Sequence, residues 1–418
     1  MDNFTFTTIT KEEYDNFESN IAFDSFLQAP EMADLLLSNH WNVDYVAVRS
    51  DNDKIVTAAL LCSKNMTGGK HFEIQYGPIF AEYSLEIEHF FYQNLREFVK
   101  AHNGLELLVI PNTDYLKLGD DGQNLQKEND YFLADLSNLG YKHRDFERNY
   151  NERGESIWHY VKDLTNITDE KQLLKSFNKS GQYSVKLAQK YGIKIEPLAY
   201  DELHIFQEIA ESTAERRNYS GHDLAYHQEF YKMFGEKCEF LAAKMNFFTY
   251  HENLQHQITE LNNQITVLDK EIAEHDSAKK KKQRNNLVTQ KTAYEKRILE
   301  VSEFAEKYGN QEIVLAVGLF IYTQGETTYL TSGSREEFKA FCAPFLIQYE
   351  SMVHALQKGK TSYNFFGISG NLDPAVDGVL RYKQNFNGYI TEKVGYFSYY
   401  PHPVKFKTLK LIKKILRK

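Results

Sequence analysis

The sequence predicts an α/β chain of the α+β kind, made of two related domains with an antiparallel helical hairpin inserted in the second. Three observations predict it. Strand-like and helix-like segments recur in a similar order twice along the 418 residues. Tyr and Phe are abundant, at 28 and 29, as large half-buried sheets require. A heptad seam interrupts the second half. The length exceeds one ordinary core, and 42% apolar with 26% charged residues is the balance of a folded soluble protein.

In the first unit, Asp44–Arg49 and Ile55–Ser63 read as paired strands around the turn Asp51-Asn52-Asp53. His71–Phe80 is a strand interrupted at Gly77-Pro78. Leu85–His102 has helical spacing at Ile87, Phe90, Phe91, Leu95 and Phe98, and Leu105–Ile110 is a buried strand stopped by Pro111. That order resembles an acyltransferase core. The second unit starts near Trp158, with a basic amphipathic helix at Asp169–Tyr191, a strand at Ile193–Pro197 and a helix at Tyr200–Arg216. Strands follow at Lys237–Met245, Glu312–Tyr322 and Thr327–Ser332, then a helix at Phe338–Gln357 and a strand at Tyr363–Ile368.

Leu254, Ile258, Leu261, Ile265, Leu268 and Ile272 alternate spacings of four and three, and the seam resumes at Leu287, Lys291, Tyr294, Ile298, Val301, Ala305 and Tyr308. Two heptad helices joined by a short loop predict a projecting hairpin. The expected boundaries are 1–155 for the first domain, 156–245 with 308–385 for the second, 246–307 for the arm, and 386–418 for a return segment ending in a basic amphipathic helix.

MDNFTFTTIT lacks both the basic and the apolar regions of a secretory signal, and the longest apolar run, Ile313–Tyr322, is too short to span a bilayer. Cys62, Cys238 and Cys342 are scattered, as thiols of a reducing compartment are, so a cytoplasmic location is expected. Gly359-Lys360-Thr361 mimics the end of a P-loop, but His354 occupies the place of its first glycine. There is no HExxH, no paired Cys/His spacing and no GxSxG. An enzyme without such motifs uses a preactivated donor, with neither metal nor cofactor expected.

The net charge of -9 gives no global sign of nucleic-acid binding, so local patches matter more. Lys279, Lys280, Lys281, Lys282 and Arg284 cluster at the hairpin tip, and Lys175, Lys179, Lys186 and Lys190 lie in a stretch without acids between Glu170 and Tyr191. Both could meet an RNA backbone, or be ordinary solvated faces. Arg216 and Arg217, beside Tyr219, suit diphosphate and sugar recognition, or salt bridging. Tyr363–Gly370 (YNFFGISG) ends a strand in glycines, which let a backbone approach a ligand, and precedes Asp377–Phe386, where a lysine could stabilise an oxyanion or sit exposed on a helix. In the tail Val404–Lys418, apolar residues alternate with lysines, suiting either an anionic lipid surface or docking onto the first domain.

The segments KSFNKSGQYSVKLAQKYGIKIEP, YNFFGISG and GVLRYKQNFNGYITEKVGYF, with the inserted hairpin, resemble the FemABX family of non-ribosomal peptidyltransferases over essentially the whole chain. ERRNYS and MTGGKHFEIQYGP resemble its MurN type, which adds the second bridge residue, commonly alanine. The resemblance implies two acetyltransferase-like (GNAT-like) domains, a muropeptide cleft, and a helical arm associated with tRNA. It places the family's Phe-Lys pair on Tyr382 and Lys383, with Lys383 as the catalytic candidate, and its sugar-nucleotide contacts on His222 and Tyr226. His222 departs from the family's arginine, leaving Arg216 or Arg217 as substitutes; Ile110 stands where an acid often precedes Pro111, and Leu35 or Leu36 where some members have lysine. The implied partners are aminoacyl-tRNA, as co-substrate, and a lipid-linked or UDP-linked muramyl pentapeptide, with peripheral contact at the inner membrane surface. An acyl-CoA-dependent N-acyltransferase and a non-catalytic coiled-coil adaptor remain the alternatives.

Overall fold

A computed structural model describes residues 4–416 except 22–24, 127, 147, 151–155 and 218; Asn218 of the ERRNYS segment thus lies outside the described residues. The chain opens with β1 (Thr5–Ile9), α1 (Lys11–Glu18), α2 (Pro30–Ser38), β2 (Asn42–Arg49), β3 (Ile55–Met66), β4 (Gly69–Gln75), β5 (Ile79–Phe80), α3 (Leu85–Ala101) and β6 (Gly104–Ile110). Local chemistry sets the helix starts. Thr10 and Glu13 close a capping box on α1, Pro30 begins α2, and Ser84 caps α3. The helical spacing of α3 then buries Phe91, Leu95 and Val99 against the sheet. After Pro111 come β7 (Asp114–Gly119), β8 (Asn124–Gln126), α4 (Asp130–Asn138) and β9 (Lys142–His143).

The second part runs β10 (Trp158–Asp163), α5 (Glu170–Ser176), α6 (Lys179–Lys190), β11 (Lys194–Pro197), α7 (Leu203–Arg216), α8 (Leu224–Phe234) and β12 (Cys238–Asn246). Two long helices follow, α9 (Phe247–Glu274) and α10 (Ala278–Tyr308). The chain closes with β13 (Glu312–Tyr322), β14 (Glu326–Ser334), α11 (Ala343–Gln357), β15 (Ser362–Gly367), α12 (Gly378–Lys383), β16 (Tyr389–Lys393), β17 (Phe397–Tyr399) and α13 (Pro403–Leu416).

The strands form two sheets, ordered β1-β2-β3-β4-β6-β17-β9, with β5 beside β3, and β11-β12-β13-β14-β15-β10-β16-β7-β8. Each contains one parallel pair, β4 with β6 and β14 with β15, and in each the crossover passes through one helix, α3 or α11. This shared crossover is the duplicated pattern that the sequence shows weakly.

Strand pairing does not follow the expected boundary at 155. β7 and β8 leave the first sheet and extend the second by pairing with β16 (Ile390 opposite Leu118), while β17 returns to the first sheet between β6 and β9. Two expected helices are also broken. The segment 169–191 divides at Phe177, which is extended and buries its ring against Phe386, while Asn178 caps the new helix by accepting from the Gly181 N–H at 2.8 Å. The segment 338–357 divides at Cys342, at φ +57°, before α11 starts.

The arm is a helix pair. Leu254, Leu261 and Leu268 of α9 are buried in its seam, and Phe247 near the start of α9 packs on Phe304 and Tyr308 near the end of α10, so the helices run antiparallel.

Candidate active site

Strand β15 ends in an unusual backbone. Tyr363 and Phe365 point into the core, and the Tyr363 hydroxyl donates to Gln348 Oε1 at 2.7 Å. Phe366 lies in the left-handed region at φ +61°, a conformation costly for a side chain of its size. The carbonyls of Phe365, Phe366 and Gly367 converge on Nζ of Lys383, which donates to them at 2.7, 3.2 and 2.6 Å. Lys383, at the end of α12, is 4% exposed. Burial pushes its ammonium down to about 7, Asp377 opposing the shift and Arg217 adding to it.

Of the two sequence readings of this lysine, its burial excludes the exposed residue on a helix. An ammonium has three protons, and all three of Lys383's are donated to backbone carbonyls. The side chain ties the end of β15 to α12. Tyr382 is likewise engaged: its hydroxyl donates to the Pro344 carbonyl at 3.0 Å, and its ring packs on Phe345 and Phe386.

The loop after β15 is fixed from both sides. Asp377 caps α12, accepting from the Val379 and Leu380 N–H groups, and also accepts from the Ser369 hydroxyl at 2.6 Å. Burial raises the Asp377 carboxyl, but these bonds outweigh it and hold it below its ordinary value. From the other side, Tyr150 Oη donates to the Gly367 carbonyl and Ser156 Oγ to that of Ile368, at 3.1 and 2.6 Å. Gly370, at φ +72°, lies where a Cβ would meet the Trp158 ring at 2.5 Å, so only glycine fits.

Beside this loop the two arginines separate in role. Arg216 donates to the Ser334 carbonyl and pairs with Glu336 at 3.8 Å. Arg217 is exposed and makes no ion pair or side-chain hydrogen bond among the described residues, yet its charge acts on Tyr150, Tyr219, Tyr329, Tyr382 and Lys383. An exposed guanidinium among tyrosines, with Glu336 the described carboxylate on which its charge acts, is chemically suited to a phosphate or carboxylate. His222 precedes α8 and Tyr226 lies in its first turn, where Tyr226 packs against the same apolar cluster as Phe366. Their rings stack at 3.8 Å, and Tyr226 packs on Phe230; neither contacts Lys383 or Arg217.

The sequence reading missed His159 and Tyr76. Their side chains bond at 2.9 Å across the two sheets, with Phe366 packed on the His159 ring. Burial, with Lys393 and Lys383 nearby, drives His159 well below its ordinary value, so it is neutral. No local motif marks it, because the pair forms only when the sheets meet.

The basic candidates also divide. At the arm tip Lys280 pairs with Glu271, Lys281 with Asp276 and Arg284 with Asp269, while Lys279 and Lys282 make no ion pair among the described residues. By contrast, Lys175, Lys179, Lys186 and Lys190 are all exposed with no ion pair among the described residues. Beyond Lys190 a cleft of about 410 Å³ opens at the arm root, lined by Tyr250, Tyr294 and Arg297 among others, with no carboxylate in its wall.

The aminoacyltransferase FemA of Staphylococcus aureus strain RF122 is 29% identical over 397 residues, covering 94% of each chain, and FemA of strain NCTC 8325 matches equally. The crystal structure of FemX superposes with a TM-score of 0.78 at 22% identity, covering 96% of this chain and 98% of that one, and so shares the fold. The FemAB family model matches residues 9–414, and the chain is accordingly a member of the FemAB family.

Proposed function

We propose that this aminoacyltransferase moves a small amino acid, alanine before serine or glycine, from aminoacyl-tRNA to a muramyl pentapeptide precursor. The acceptor is the stem-peptide lysine or the first bridge residue, on a lipid-linked or UDP-linked precursor at the cytoplasmic face of the membrane. The observation that carries this reading is the clamped loop 365–377 beside the exposed Arg217 and its tyrosines.

The ester of the donor is already activated, so no nucleotide is consumed. The acceptor amine, whose ordinary pKa is about 10.4 for a lysine, first sheds a proton. Its lone pair forms the new C–N bond, the ester C–O bond breaks, and the ribose oxygen of the tRNA leaves with a proton. Arg217 binds the phosphates of the precursor. Lys383 is a positioning residue: it fixes the backbone on which the donor carbonyl rests. His159, neutral and enclosed, supports Phe366 from behind. Lys175, Lys179, Lys186 and Lys190 face the tRNA backbone, with the arm root as the next contact.

The test is a mass-spectrometric transfer assay with bulk aminoacyl-tRNA and lipid-linked or soluble precursors, each with and without one bridge residue attached. A gain of one amino-acid residue supports the reading, and its mass names the amino acid. No gain on any acceptor while the tRNA stays charged refutes it.

A further inference from the structure

Helix α13 carries two apolar stripes, and the body of the protein uses only one. Phe406 packs on Tyr400 at 4.3 Å between ring centres, and Leu409 lies against the turn at Gly68 between β3 and β4. With about 3.6 residues per turn, Val404, Leu411 and Ile415 align on the far side of the helix from that stripe, with Ile412 adjoining them. These four are 78, 60, 64 and 45% exposed. Lys407 and Lys414 border this outer stripe on one side and Lys405 on the other. The described helix contains no acid, and Lys405, Lys407, Lys410, Lys413 and Lys414 make no ion pair among the described residues.

We propose that the outer face of α13 seats the protein on an anionic lipid bilayer surface. The charge argument selects this occupant. An apolar stripe between unpaired lysines matches the acyl-headgroup boundary, where the apolar residues sink and the lysines reach anionic headgroups. A second copy of the same helix would set lysine against lysine, and RNA phosphates would satisfy the lysines while leaving the leucine and isoleucines in water. No described helix is long and apolar enough to cross a membrane, so the contact is peripheral. Binding here concerns the place of the lipid-linked acceptor in the proposed function, but it does not depend on which group is transferred.

The experiment is co-sedimentation of the full chain with vesicles of phosphatidylcholine alone or mixed with phosphatidylglycerol, at low and high salt. The wild type is expected to bind the mixed vesicles, at least roughly tenfold better at low salt than at high, and to bind phosphatidylcholine weakly. L411D/I415D loses this binding, and K407E/K414E loses on the order of tenfold or more, since each lysine near an anionic surface contributes about a fivefold factor. The melting temperatures stay unchanged because these side chains are exposed. Equal sedimentation with both vesicle types overturns the proposal, as do variants that bind like the wild type. A dimer that L411D/I415D dissolves, or tRNA retention that it abolishes, without vesicle binding by the wild type, also overturns it and assigns the face to that other occupant. Transfer to the soluble UDP-linked precursor is measured in parallel: the helix variants keep it if the chemistry is as proposed, so failure of one idea is visible apart from the other.

Discussion

Replacing Lys383 with Met separates a clamp from a catalyst. The substitution keeps the length of the side chain and removes three donated hydrogen bonds. The Gly367 carbonyl retains the Tyr150 hydroxyl, whereas those of Phe365 and Phe366 accept from no other side chain. Losing the buried lysine's bonds to these carbonyls costs about 1–3 kcal/mol once relief of the desolvated charge is set against it. Urea denaturation is expected to show that loss. The relaxed loop should lower single-turnover transfer about a hundredfold, as a displacement near 1 Å does. The pH dependence supplies a second reading. The unfolded lysine binds its proton below about 10.5 and the folded one only below about 7, so this group makes wild-type stability rise with pH between those values. Lys383→Met lacks that rise, and its deficit widens towards alkaline pH. A variant as stable as the wild type at every pH, yet without measurable turnover, would refute the clamp and return the ammonium to the chemistry.

Three further outcomes are expected. Arg217→Ala should raise the KM for the precursor roughly ten- to a hundredfold with little change in melting, whereas Arg216→Ala should act mainly on stability; steady-state kinetics and thermal melts distinguish them. Charge reversal of Lys179 and Lys186 should weaken tRNA binding and reduce the slope of log affinity against log salt by about 1 per lost contact, while reversal at Lys280 and Lys281, already paired, should change filter-binding affinity little. At His71 burial opposes protonation, but hydrogen bonds to Glu106 and Glu73 outweigh it and raise the imidazole to about 9. Its stabilising contribution is therefore complete below about 6.5 and lost as pH rises through about 9, on the order of 3 kcal/mol; urea midpoints of His71→Gln should lack this alkaline decline.

Periodic features were legible in the sequence because local spacing creates them. The heptads placed Leu254, Leu261 and Leu268 in the arm seam, and the apolar spacing of α3 marked Phe91 and Leu95 as core. Breaks were harder to read. Phe177 continues a helical pattern, and only the pocket against Phe386 and the Asn178 cap turn it outward. The resemblance singled out Lys383, but its three carbonyl partners come from a left-handed turn at Phe366 that no propensity favours and no local spacing marks. His159 with Tyr76, and Arg217 as distinct from Arg216, depend on contacts between distant segments and leave no local signal.

The return of β17 to the first sheet has a consequence for biosynthesis. Residues 397–399 fill the slot between β6 and β9, strands made more than half the chain length earlier. While the ribosome is still working, the emerging N-terminal half holds an open strand edge at Leu107–Val109, of the kind that pairs with strangers. Its sheet closes only once residues 397–399 have emerged to pair with β6 and β9. Truncation before β17 would leave that edge permanently open. Nascent chains stalled short of it should be sensitive to protease and bound by chaperones, although most of the first sheet has already been synthesised.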